Sequence, residues 1–330
     1  MTSGKMQGPF KAQVVTKAQR FGYFFFFTSG AAALIYEVIW VRLLGFVFGN
    51  TTHAVSAVLT AYMAGLGFGS YWISRRADRF EKPLFVYGLM EIGIGVYAAW
   101  TFVLLQFIQN AYTTIAITLT PGPALFAFIR LALSFLILFP PCFFMGATLP
   151  VLVKFYVHEK RTIGSGTALL YGLNTAGAVV GTVLAGFSLL PFFGLKASLQ
   201  MAVVINIGIG LLACVVSREL ELAGLAASAT PVPQGGERGG VRGEGGRAQE
   251  RGRDALPSGG FSHLWLPAGL GISGILAMVY EVGWTRILAA VLGSSTYAFT
   301  LMLSTFLLGI ALGSALAKDF LARRPARVLD

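Results

Sequence analysis

Two short runs in this sequence combine acidic, basic and aromatic residues at one spacing: Tyr36, Glu37, Trp40 and Arg42, then Tyr280, Glu281, Trp284 and Arg286. Both lie in long apolar stretches, where an ionisable group is costly and normally faces a partner or a water-filled cavity. On a helix, a five-residue step sets Glu37 and Arg42 about 140° apart and roughly 7.5 Å along the axis. Each is therefore expected to reach a neighbouring helix rather than the other. Two readings follow. Either the carboxylates of both runs flank one central cavity and take a cation or proton, or the charges form ion bridges that hold helices in register. Tyr36 and Trp40, like Tyr280 and Trp284, share a helix face, either lining a substrate path or packing on the next helix. Glu91 is a further intramembrane acid. Asn174 needs a hydrogen-bond partner in lipid, whether a ligand or another helix. Cys142 and Cys214 give neither a zinc spacing nor a disulfide framework, and no metal site is expected.

The two runs belong to a longer repeat. Residues 29–70 and 273–314 align without a gap at an offset of 244, with 17 of 42 positions identical. The identities include Ser29/Ser273, Gly49/Gly293, Gly65/Gly309 and Gly69/Gly313. Internal repeats of this kind mark transporter-type folds, in which related halves pack around a midplane site.

Composition points to a bilayer. Hydrophobic residues make up 55% and charged residues 12%, about half the charged share of a soluble domain, and the mean hydropathy is +0.72. Because about 20 apolar residues cross the hydrocarbon, eight helices are expected, at 21–47, 53–74, 84–108, 125–153, 166–191, 196–217, 264–291 and 296–317. Pro140, Pro141, Gly177 and Gly181 do not argue against this, since neighbouring membrane helices satisfy the backbone groups they free. The small-xxx-small pairs Gly65/Gly69, Gly177/Gly181 and Gly309/Gly313 suit close helix packing.

Of the 25 basic residues, 21 fall in the N-terminal arm, the C-terminal tail and alternate loops; the opposite loops have none. The positive-inside rule then predicts both termini cytoplasmic, in a multi-pass protein of the plasma (inner) membrane. In 218–262 six arginines are balanced by six acids, so the net charge of +11 sits in short juxtamembrane loops facing lipid headgroups. No basic–aromatic interleaving marks a nucleic-acid surface. The Gly-, Arg- and Pro-rich linker is expected to be disordered.

The expected fold is therefore an all-α polytopic membrane protein with a major-facilitator-like parallel repeat. Its parts are a cytoplasmic arm (1–20), a six-helix bundle (21–217), the linker (218–262), the first two helices of a second half (263–317) and a cytoplasmic tail (318–330).

The segments SGAAALIYEVIWVRLLG, PPCFFMGATLP and YGLNTAGAVVGTVLAGF, with the recurrence SGILAMVYEVGWTRILA, resemble the membrane region of fused spermidine synthase-like proteins. In that family a major-facilitator-type bundle precedes a soluble polyamine synthase domain. The resemblance implies a link to polyamine biosynthesis or handling, and as partners the bilayer, a polyamine synthase domain (fused or separate) and a polyamine or other small cation. The family's aminopropyl transfer would need a strand–Gly-rich turn–helix unit, which does not follow the last helix; the glycines of 235–246 lie in a charged, strandless linker. No catalytic residue is carried over and no cofactor is expected in this chain. Three functions are open: a membrane module of a spermidine synthase-like protein, a transporter of a small cationic or organic solute, and a non-catalytic membrane scaffold.

Overall fold

The computed structural model describes residues 9–49, 52–119, 122–156, 163–229, 262–293 and 295–323. Among these every regular element is helical: α1 Pro9–Phe48, α2 Thr52–Ser74, α3 Pro83–Ala99, α4 Thr101–Leu119, α5 Pro123–Tyr156, α6 Ile163–Leu184, α7 Leu190–Ala229, α8 Ser262–Leu292 and α9 Ser295–Arg323. A 3-10 turn, Ala77–Arg79, follows α2, and a π turn, Ala185–Leu189, joins α6 to α7. Seven helical stretches are long and apolar enough to cross a bilayer, which makes the chain a multi-pass membrane protein.

The seven stretches cover the eight expected spans, with two local differences. The span expected over 84–108 breaks at Trp100, whose φ and ψ of −84° and −1° interrupt the helix. That leaves α3 with 17 residues, about 25 Å against a hydrocarbon core of roughly 30 Å. Helix then resumes as α4 through residues expected to be loop. The other difference is that 167–222 is one 56-residue apolar stretch, folded back on itself at Gly194 (φ 73°, ψ 177°) into the two passes expected at 166–191 and 196–217. Only a residue without a Cβ adopts that backbone freely.

Helix directions follow from the contacts. Ser29 meets Glu91 and Trp40 meets Thr101, so α1 runs with α3–α4. Gly177 and Gly181 pack on the carbonyls of Phe27 and Ala31, so α6 also runs with α1. Gly88 faces Gly210, and Gly95 faces Val203, so α7 runs against α3. One end of the bundle is basic, with Lys82–Glu221 and Lys154–Asp78 ion pairs at 2.7 and 3.0 Å. There Arg75 and Arg76 lie over the rings of Tyr71 and Trp72, as interfacial anchors do. At the other end Gly49 and Gly293, equivalent in the repeat, both take positive φ (81° and 68°) and end α1 and α8 as left-handed caps.

Helix α5 is continuous through Pro140, Pro141 and Pro150. Helix α7 runs to Ala229, past the expected end at 217; ELELAGLAASA is rich in good helix formers, and Glu221 is tied to Lys82. The rest of the linker, 230–261, lies outside the described residues, as does 324–330 of the tail.

Candidate functional site

Glu37 and Glu281 are carried to the middle of the bundle by α1 and α8, and each is only 2% exposed. Both line a single cavity of about 640 Å³ bounded by α1, α2, α5, α6, α8 and α9. The two carboxyls are near enough to feel each other's charge, and the Tyr62 hydroxyl lies against that of Glu37. One oxygen of each carboxyl is buried without a hydrogen-bond partner. Among the described residues no lysine or arginine lines this cavity. Its remaining polar lining comes from Ser29, Thr148, Tyr171, Asn174 and Thr175.

The lining respects the repeat. Ala33/Ala277, Leu34/Met278, Glu37/Glu281, Tyr62/Phe306, Met63/Leu307 and Leu66/Ile310 all face the cavity, and each pair is separated by the 244-residue offset. Equivalent positions of both repeats thus surround one space. Tyr62, Met63 and the methionines Met145 and Met278 escaped the sequence reading, because no single one carries a functional pattern. The offset could have found Met278, the equivalent of Leu34 on the helix face of Glu37; Met145 lies outside the repeat and carries no such signal.

Arg42 and Arg286 line a second, smaller pocket of about 290 Å³ toward the opposite end. Arg42 donates to the hydroxyl of Thr296 on α9, so it does reach a neighbouring helix. Neither Glu37 nor Glu281 forms an ion pair among the described residues. The two spaces back onto one layer of side chains: α1 gives Glu37 to the cavity and Val38 to the pocket, and α9 gives Leu303 to the one and Phe299 to the other.

Glu91 lies apart from both. It accepts hydrogen bonds from Ser29 Oγ at 2.6 Å and Asn206 Nδ2 at 2.9 Å, fully buried where α1, α3 and α7 meet. Asn174 borders the cavity, but its Nδ2 donates to the Phe26 carbonyl at 3.1 Å, an interhelical bond. Tyr36 and Trp40 face away from the cavity, stacked at 5.1 Å. Tyr280 and Trp284 are also off the lining, on the outer surface of α8.

Compared with known proteins, the chain matches no family model, no curated protein and no solved structure.

Proposed function

We propose that this chain is a membrane module, with a major-facilitator-like parallel repeat, that holds a small organic cation of the polyamine class between Glu37 and Glu281. On this reading it serves a spermidine synthase-like system, and the basic end faces the cytoplasm across the inner membrane. The observation that carries it is the pair of buried carboxyls, one from each repeat, on a cavity with no basic lining among the described residues. Taking charges out of water costs several kcal/mol per ion, so an alkylammonium group between them is held by both carboxylates at once. The methylene chain of a polyamine suits the surrounding Met, Leu and Phe side chains. Labelled putrescine or spermidine binding to the chain in lipid nanodiscs tests this. Charge-assisted hydrogen bonds are worth about 1.5–3 kcal/mol, so Glu37→Gln and Glu281→Gln should each weaken binding about tenfold or more. Binding that is absent from the parent chain, or indifferent to both substitutions, would sink the proposal.

Transport is the second reading. It is supported by the cavity and the arginine-lined pocket meeting at one thin layer around Val38, Phe299 and Leu303, the arrangement an alternating gate needs. Uptake of the same label into proteoliposomes separates carriage from binding alone.

A further inference from the structure

Six equivalent pairs of the two repeats line the cavity, but elsewhere their surroundings differ. In the first repeat Tyr36 and Trp40 are 0% and 2% exposed, covered by α3, α4 and α7. The Trp40 indole donates to Thr101 Oγ1 at 3.3 Å, and the Ser29 hydroxyl donates to Glu91 Oε1 at 2.6 Å. In the second repeat the identical residues stand bare: Tyr280 is 63% and Trp284 54% exposed, and Ser273 is exposed too. The second helix of each repeat shows the same contrast. Gly65 and Gly69 receive the backbone of α5 at Phe139, Cys142 and Phe143, whereas a Cβ at Gly309 or Gly313 would meet nothing within 4 Å.

Exposed Ile or Val on a membrane helix needs no partner, because lipid solvates it as well as protein does. An indole N–H and a serine hydroxyl at membrane depth are different, since hydrocarbon offers neither an acceptor. Two bare glycines one turn apart are different again: they fit the close approach of another backbone. All of these features are used in the first repeat, by identified partners. Another molecule of this chain has no spare set of those partners. Its Glu91 is already taken by Ser29 and Asn206, and its α5 already lies on α2.

We infer that the outward face of α8 and α9 is a docking surface for a transmembrane partner of defined chemistry. The partner is a bundle of at least two membrane helices. One presents a carboxylate to Ser273 and, about ten residues further on, a hydroxyl or carbonyl to the Trp284 indole. Another lays a stretch of backbone along Gly309 and Gly313.

The test places a photocrosslinking amino acid at Tyr280 or Leu312 of the full chain in its source membranes, with Tyr36 as the covered control. The expected result is adducts from both positions whose sequenced peptide is a transmembrane segment from outside residues 1–330 carrying Asp or Glu. A combined Ser273→Ala and Trp284→Phe variant should lower the yield at position 280 at least fivefold. Gly309→Leu should do the same at position 312. Since these side chains are bare in this chain, the variants should keep its polyamine binding, which checks that they fold. Adducts to lipid alone, to a second molecule of this chain, or to a segment without an acidic residue overturn the inference. So does a yield unaffected by the substitutions.

Discussion

Glu91 illustrates how an intramembrane acid divides between binding and structure. A carboxylate at membrane depth is tolerated when it accepts enough hydrogen bonds, and Glu91 takes two, from Ser29 on α1 and Asn206 on α7. Glu37 and Glu281 instead each leave a buried oxygen unpartnered beside open space. Substitution should separate the two kinds. Glu91→Ala strands two buried donors, so it is expected to cost about 2–4 kcal/mol and to lower the thermal stability of the solubilised chain. Polyamine affinity of the folded fraction should stay within twofold, in contrast to the Glu37 and Glu281 variants. Scintillation proximity binding alongside a melting curve reads both quantities from one preparation, and an affinity loss as large as that of Glu37→Gln would put Glu91 in the binding set.

At the scale of elements, small residues decide which helices can approach. Gly69 of α2 sits against the Phe143 carbonyl of α5, and Gly177 of α6 against the Phe27 carbonyl of α1. In lipid there is no hydrophobic force between helices, so this close packing is what favours association. Gly69→Leu should therefore force α2 and α5 apart and destabilise the purified chain, by an amount typical of overpacking, about 1–3 kcal/mol. Gly313→Leu, its equivalent in the repeat, should be neutral in the same thermal assay, because nothing lies near it. Equal losses from both would mean that α9 has a partner within this chain.

For the whole molecule, the order of the helices fixes which loops share a side. The turns at Gly49 and Gly293, the α4–α5 connection and the fold at Gly194 all lie opposite the end that holds Arg75, Arg76, Lys82 and Lys154. If the basic end faces the cytoplasm, a reporter inserted at Gly122 should read as non-cytoplasmic and one after Asp78 as cytoplasmic. Alkaline phosphatase and green fluorescent protein fusions at both points check this, and a fluorescent fusion at Gly122 would reverse the orientation.

The sequence by itself determined that the chain is apolar enough for a bilayer, that two of its segments repeat, and that Glu37, Arg42, Glu91, Glu281 and Arg286 are unusual intramembrane charges. These properties are local: hydropathy and identity at a fixed offset need no knowledge of what a helix touches. Helix ends were less legible. The break at Trp100 and the run of α7 to Ala229 depend on which neighbours hold the backbone, not on apolar content alone. Only the tertiary structure decided how the acids are shared out. Hydropathy treats Glu37, Glu91 and Glu281 as three equal costs. Packing surrounds one with donors and leaves the other two facing a common space. The same holds for Tyr36–Trp40 and Tyr280–Trp284, identical in sequence and opposite in burial, because burial belongs to the neighbours a helix has and not to the residues it carries.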